Sequence, residues 1–222
     1  TRAYGWFKEN PNELCDTVRH LTDDTLFQPG ADAIKFFFRR VGVISGFIVN
    51  AEKAKKLSSD LFDGRLYYQM YLAGMLMAEG QGYYFSDVMT LSRDTEAPDF
   101  GNAGTEKGVF TPGGYKPEGR IHMVEGLLLI AKYIEDTTKI DGVYAGIRKD
   151  LANYFYPYIR DQLDLPLYTY IKMINKFRKM GFSNEKLFYV HAFLGYVLKR
   201  RGYDALIKYI RSKKGGTPRL GI

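Results

Sequence analysis

Two adjacent carboxylates, Asp23 and Asp24, are the first residues in this chain whose type and spacing suggest chemistry, with Pro29 and Gly30 following shortly after. Neighbouring carboxylates can hold a divalent cation, which neutralises charge that develops on a leaving group. However, residues 17–22 before the pair are too polar for a central buried strand. The interpretation of Asp23 as a loop or helix-cap carboxylate is therefore favoured, and metal ligation is kept as the alternative.

Thiol and imidazole side chains offer little further chemistry. Cys15 is the only cysteine, so the chain has no internal disulfide, and we expect an inert thiol. His122 and His191 fall in segments predicted to be helical. His191 lies on an apolar stripe, which favours a structural core role over catalysis.

The elements before residue 93 alternate between strands and helices. The aromatic run at residues 4–7 predicts the end of a strand, and a helix is expected at residues 31–38. Residues 41–50 are apolar and β-branched, which predicts a buried strand, followed by a short helix at 51–56. A helix at 67–78 and a strand at 83–92 then complete a strand–helix–strand unit, which is typical of an α/β sheet.

The second half of the chain is predicted to be helical. Residues 93–119 are rich in Gly and Pro, so we interpret them either as a functional loop near an active site or as a linker. Helices are expected at 143–162, 166–181 and 203–213, the last with a basic face. Two apolar stripes predict further buried helices: Val124, Leu127, Leu128, Ala131 and Ile134, and then Leu187, Val190, His191, Leu194, Val197 and Leu198. The predicted fold is α/β over 1–92, a flexible loop over 93–119 and an α-helical region over 120–222.

The amino-acid composition and net charge restrict which kinds of partner and membrane topology this chain can have. The 222 residues carry a net charge of +7, which favours anionic partners. No run of about 18 apolar residues exists, so no membrane span is predicted. Basic clusters at residues 199–201 and 211–214 suggest contact with an anionic membrane surface, and no nucleic-acid-binding signature accompanies them.

Several segments in order resemble one family. They are residues 44–50 (ISGFIVN), 64–72 (GRLYYQMYL), 98–102 (PDFGN) leading to 106–108 (EKG), and the tail at 216–221 (GTPRLG). Together they resemble the later part of bacterial family-2 glycosyltransferases of the GT-A fold, close to the abequosyltransferase-like group. The resemblance covers nearly all of the chain.

The resemblance implies transfer of a sugar from a nucleotide-sugar donor, with Mg²⁺ or Mn²⁺, to a saccharide or lipid-linked acceptor in surface polysaccharide synthesis. It identifies no metal ligands in this chain. The family's usual carboxylate is absent from residues 67–69, so Asp63 is the nearest candidate for the catalytic base, with a turn residue beside Gly64 as the alternative interpretation. The substrate-binding residues that it implies are Ser45, Gly46, Tyr67, Tyr68, Gln69, Arg93, Asp99, Asn102 and Lys107.

Within that group, Ser45 and Gly46 would line the acceptor side, Arg93 would meet a diphosphate, and the loop residues would close over substrate. The family's nucleotide-binding half is not recognisable here, so we expect the segment alone to be inactive. The single cysteine and the lack of a secretory signal peptide lead us to expect a cytoplasmic protein, and the basic clusters suggest a peripheral position on the inner membrane face. The alternative is a non-catalytic helical binding or scaffold module, and nucleic-acid binding is not expected.

Overall fold

A computed structural model describes residues 1–93 and 116–213, and the described residues form a mixed α/β structure. The strands are β1 (Arg2–Phe7), β2 (Leu14–Val18), β3 (Thr25–Phe27) and β4 (Gly82–Arg93). The helices are α1 (Ala31–Arg40), α2 (Ala51–Lys56), α3 (Tyr68–Glu79), α4 (Pro117–Thr138), α5 (Val143–Asn153), α6 (Tyr156–Ile159), α7 (Leu167–Lys179) and α8 (Lys186–Lys213). Two 3₁₀ turns, Arg160–Gln162 and Phe182–Asn184, connect the later helices.

The four strands form one sheet in the order β2-β1-β4-β3. The two central strands, β1 and β4, are parallel, with Tyr4 beside Thr90 and Gly5 beside Leu91. Both outer pairs are antiparallel. The predicted strands at the N-terminus and at 83–92 are therefore confirmed, while β2 and β3 were not among the predicted elements.

Two helices pack beside the sheet because their apolar residues recur every three or four positions. In α1, Ile34, Phe37 and Phe38 are buried, as that spacing requires. In α3, Gly74 allows close approach of α4, because a Cβ atom there would lie 2.2 Å from Cδ1 of Ile134. The missing side chain thus sets how closely α3 and α4 pack.

One hydrophobic core continues from the N-terminal elements into the C-terminal helices. The stripe predicted in α4 is buried throughout. Residues of α1, α3, α4, α5 and α7 belong to the same buried cluster, which extends from Ile34 to Ile207. The predicted boundary loop lies mostly outside the described residues, so the division into 1–92 and 120–222 stays a prediction.

The predicted strand at residues 41–50 is wrong. The segment forms turns and extended chain without strand pairing, and Ile44 and Ile48 are exposed. Phe47 N donates to Ile44 O at 3.0 Å, and Gly46 between them has φ 75°. Glycine at positive φ closes a turn, which interrupts the regular extension that a strand needs. The predicted strand–helix–strand unit is lost with this strand, and β1 takes its place as the parallel partner of β4.

The apolar stripe predicted over residues 187–198 is correct for His191, which is buried, and for Leu194, which is half-buried against the core. It is wrong for Leu187, Val190, Val197 and Leu198, which are exposed. The buried face of α8 contains Phe188, His191 and Ala192, whereas Leu187 and Val197 are exposed. His191 is buried as predicted, with Nδ1 2.5 Å from Tyr203 Oη and Nε2 3.1 Å from Asn153 O. Residues 187–198 carry no Asp, Glu, Lys or Arg, so polarity could not distinguish the two faces.

Candidate functional site

A cleft of about 580 Å³ lies between the turn at Gly46, the C-terminal half of α3 and strand β4. Apolar side chains form most of its wall, including Phe47 and Ile48 on one side and Leu76 and Met77 on another. Clefts with apolar walls and a few polar groups are the usual form of small-molecule sites. We therefore take this cleft as the candidate site.

Two aromatic rings of β4 stand at the cleft. Tyr83 and Phe85 both line it and are about two-fifths exposed. Their ring centroids are 4.7 Å apart. Exposed, adjacent rings present flat apolar faces to a ligand, with the Tyr83 hydroxyl as a polar edge.

Two cations contribute to the same cleft. Arg2 in β1 is 2% exposed, and its Nε donates to Thr90 Oγ1 at 2.9 Å. Its two terminal nitrogens are buried and make no hydrogen bond within the described structure. Burial lowers the pKa of Arg2, although the group remains a cation at neutral pH. Lys53 in α2 supplies a second, exposed ammonium group.

The charge of the cleft is therefore positive. Among the described residues that line it there is no Asp or Glu, so Arg2 and Lys53 are not neutralised inside the cleft. A buried cation without a carboxylate partner retains a strong local field. The cleft consequently suits an anion that also carries apolar surface.

Among the predicted site residues that the structure describes, Gly46 alone lines this cleft. A Cβ atom at Gly46 would lie 2.3 Å from Arg2 Nε and 2.8 Å from Thr90 Cγ2. Contacts that short are not tolerated, so glycine is needed here for Arg2 to pack beneath the turn. The resemblance placed Gly46 on the acceptor side of a substrate cleft, and its close neighbour in the structure is the side chain of Arg2.

The residues predicted at the start of α3 make internal bonds instead of lining the cleft. Tyr68 Oη accepts a hydrogen bond from Ser59 N at 3.0 Å. Gln69 Nε2 donates to Gly42 O at 3.1 Å. Tyr67 precedes the helix with a positive φ of 71°, which is uncommon for a residue with a side chain. These contacts fix the first turn of α3 against the preceding loop.

The other predicted residues are separated from one another. Asp63 is exposed in a turn, where its backbone N donates to Asp60 O at 2.9 Å. Ser45 is exposed beside Gly46. Arg93, at the end of β4, donates from Nε to Lys8 O at 3.1 Å. The predicted loop residues Asp99, Asn102 and Lys107 lie outside the described residues.

The carboxylate pair before β3 occupies a loop, as the favoured interpretation predicted. Asp24 Oδ1 accepts two hydrogen bonds of 2.8 Å, from the backbone N and the Oγ of Ser86. These bonds lower the pKa of Asp24, and they fasten the loop to β4. Asp23 accepts a hydrogen bond from Thr22 Oγ1 at 2.8 Å.

The divalent metal implied by the resemblance does not fit the described residues. Nowhere in residues 1–93 and 116–213 do three or more His, Cys, Asp or Glu side chains form a group that could hold a metal ion. The hydrogen bonds from Ser86 already engage the Asp24 carboxylate. The reaction described below therefore assigns no role to a metal ion held by these residues.

A second polar group, the ion cluster of His20, Arg39, Arg40 and Asp150, joins α1 to α5. Asp150 Oδ2 lies 2.8 Å from Arg39 Nε and 3.1 Å from Arg40 Nη1. Burial opposes ionisation of Asp150, but the two guanidinium charges outweigh it and hold its pKa below the usual value. Burial, reinforced by Arg40 and Arg39, lowers the pKa of half-buried His20 to about 3.

Sequence reasoning missed Arg2 and Lys53. A signal for Arg2 was present, because a single charged residue begins an otherwise apolar and aromatic strand. Its partner Thr90 is 88 positions away in sequence, so spacing along the chain could not reveal the contact. Lys53 resembles any solvated lysine of a short helix until the fold places it at the cleft.

Comparison of the chain with protein-family models, curated proteins and solved structures finds no match. Within the described part of the chain, none of the helices has the length and apolarity needed to cross a bilayer.

Proposed function

We propose that this chain provides the acceptor side of a glycosyltransferase that transfers a sugar from a nucleotide-sugar donor to a lipid-linked acceptor. The observation that carries the proposal is the cleft, where apolar walls and two cations occur together without an acidic residue. A lipid-linked saccharide has the matching parts, namely a sugar, a phosphate or diphosphate, and a hydrocarbon chain.

Each part of such an acceptor has a matching surface. The rings of Tyr83 and Phe85 suit stacking against a sugar face. The exposed ammonium group of Lys53 suits hydrogen bonding to the phosphate groups, and Arg2, buried beneath the Gly46 turn, adds positive field at the cleft. Ile48, which is 83% exposed at the rim, gives hydrocarbon a surface to cover. The sequence resemblance of residues 44–50, which border this cleft, supports the same assignment.

The proposed reaction is in-line displacement at the donor's anomeric carbon. The acceptor hydroxyl loses its proton to a carboxylate base while the new C–O bond forms. The bond from the anomeric carbon to the nucleoside diphosphate breaks at the same carbon, and the diphosphate leaves. Asp63 is the base that the resemblance suggests, and its exposed position outside the cleft makes its substitution an informative test.

The cleft is tested by calorimetric titration with three probes. Farnesyl diphosphate carries both the apolar and the anionic part, farnesol carries the apolar part alone, and inorganic diphosphate carries the anion alone. We expect farnesyl diphosphate to bind most tightly. Lys53→Gln should weaken its binding about tenfold, as expected for loss of one charged hydrogen bond of about 1.5 kcal/mol.

Lys55→Gln is the matched control, because Lys55 is an exposed lysine of the same helix outside the cleft. Its binding should equal that of the unmodified chain. Equal binding of all three probes, or equal losses in the two lysine variants, would remove the acceptor assignment.

The donor is tested separately by thermal unfolding with UDP, GDP, CDP and dTDP, each with and without Mg²⁺ or Mn²⁺. A ligand present at about a hundred times its dissociation constant adds about 2.7 kcal/mol to the free energy of unfolding. A selective, metal-dependent rise would place donor binding within this chain and identify the nucleotide. No rise with any nucleotide would limit this chain to the acceptor side.

The alternative is a non-catalytic binding or scaffold module. The internal hydrogen bonds of Tyr68 and Gln69 favour it, because those side chains serve the fold. It predicts that substitutions at Asp63 leave transfer rates unchanged.

A further inference from the structure

The first half of α8 is apolar on both of its faces. Residues 187–198 are Leu-Phe-Tyr-Val-His-Ala-Phe-Leu-Gly-Tyr-Val-Leu, without an acidic residue, Lys or Arg. Phe188, His191 and Ala192 face the core. The opposite face is exposed to solvent over about 18 Å of helix. This face, called the α8 outer face below, contains Leu187, Tyr189, Val190, Phe193 and Val197.

The exposure of this face is substantial. Phe193 is 68% exposed and Val197 is 58% exposed, and they lie on adjacent turns. Residues 190, 193 and 197 follow the three- and four-residue spacing that aligns side chains on one stripe of a helix. A continuous exposed apolar stripe, unlike single exposed residues, indicates an interaction surface.

Positive charge is concentrated at both ends of the α8 outer face. Lys186 precedes it, and Arg200 and Arg201 follow it, all exposed. From residue 186 to 213 the sequence has seven basic residues and one acidic residue, Asp204. Asp204 is engaged internally, since its Oδ2 lies 2.6 Å from Arg160 Nη2.

A fixed turn sets the position of the two arginines. Lys199 has φ 56° and ψ 175°, which interrupts α8 just before them. The Lys199 Nζ donates to Leu163 O at 3.1 Å and lies 3.6 Å from the centre of the Tyr196 ring. These contacts tie the turn to the core, so Arg200 and Arg201 begin a new helical segment directly after the apolar stripe.

We propose that the α8 outer face binds an anionic lipid surface. Phe193, Val197 and their neighbours would enter the boundary between headgroups and acyl chains, and Lys186, Arg200 and Arg201 would contact the headgroups. An amphipathic helix with aromatic and aliphatic residues between basic residues binds membranes in this way without spanning them.

Charge argues against a second copy of this chain as the occupant. If two α8 outer faces packed together, the cations at one end would meet cations of the other copy in either orientation. Like charges in contact across an interface are unfavourable. An anionic lipid surface instead complements both ends, and this inference does not depend on the proposed glycosyltransferase activity.

The test is co-sedimentation of the full chain with vesicles of phosphatidylcholine alone and of phosphatidylcholine with phosphatidylglycerol. Binding should require the anionic lipid. Phe193→Ser should weaken it roughly tenfold through lost apolar burial. The double variant Arg200→Gln, Arg201→Gln should weaken it about twenty-five-fold, at about fivefold for each cation.

Two controls separate this face from the rest of the chain. Lys55→Gln with Lys56→Gln removes the same charge from exposed positions of α2, and Leu61→Ser removes an exposed apolar residue outside α8. Both should bind like the unmodified chain. The proposal is overturned if the chain binds neither kind of vesicle, or if the control variants lose as much binding as the α8 variants. It is also overturned if Phe193→Ser changes the oligomeric state measured by light scattering and leaves vesicle binding unchanged.

Discussion

The ion cluster beside α1 gives a prediction with a defined magnitude. Asp150→Asn keeps the size of the side chain and removes the negative charge that Arg39 and Arg40 share. Both arginine side chains are less than a tenth exposed, and the Asp150 side chain is 22% exposed. Breaking a buried ion pair costs about 3–5 kcal/mol, because a charge then stays buried without its counter-ion. Partial exposure of Asp150 favours the lower end, about 3 kcal/mol.

The assay is unfolding by urea and by heat, followed by circular dichroism. For a chain of this size, about 3 kcal/mol corresponds to a fall in Tm of roughly 6–12 °C. The control is Asp136→Asn, which removes the same charge from the Lys132–Asp136 pair, where both side chains are more than half exposed. Exposed pairs contribute less than about 1 kcal/mol.

The effect should also depend on pH with a definite sign. The two arginines hold the pKa of Asp150 below its ordinary value of 3.8, so Asp150 is ionised throughout neutral and mildly acidic conditions. The difference between the unmodified chain and Asp150→Asn should therefore persist at pH 5 and shrink only below about pH 4. Equal losses for Asp150→Asn and Asp136→Asn would refute this account of the cluster.

Three further predictions follow from individual residues. Gly74→Val should lower the free energy of unfolding by roughly 1–3 kcal/mol in urea titrations, because even its Cβ atom would clash with Ile134; an unchanged midpoint would contradict the packing of α3 on α4. His20 has a pKa of about 3 when folded and about 6.5 when unfolded, so stability should fall as pH falls below 6.5, and His20→Gln should make the loss between pH 7 and 5 shallower. An identical slope for His20→Gln would exclude that contribution. Asp63→Ala should reduce sugar transfer in the active enzyme by orders of magnitude if Asp63 is the base, and an unchanged rate would favour the scaffold alternative.

The local spacing of apolar and charged residues was enough to predict the helices in which the two kinds of residue recur regularly. In α4 the apolar residues recur at helical spacing, so both the helix and its buried face followed from sequence, whereas for α1 the sequence predicted the helix without its buried face. Residues 41–50 lacked any such periodicity. Their β-branched composition suggested a strand, but Gly42 and Gly46 permitted turns that the composition alone did not reveal.

The candidate cleft depends on contacts between residues that are distant in sequence. Arg2 meets Thr90 across the parallel pair of strands, and outside the cleft Arg39 meets Asp150 across 111 positions. No spacing rule connects such residues, because the topology of the sheet and the packing of the helices bring them together. The resemblance placed Gly46 among the substrate-binding residues, which stays a prediction; in the structure the group next to its Cα is the side chain of Arg2.

The central claim, that the cleft holds a lipid-linked phosphate, is tested most directly by hydrogen–deuterium exchange with and without farnesyl diphosphate. The account predicts slower exchange in residues 46–53 and 81–90, and little change there with inorganic diphosphate or farnesol at the same concentration. Lys53→Gln should reduce that protection, while Lys55→Gln should leave it intact. Protection confined to other parts of the chain, or none at any concentration, would contradict the claim.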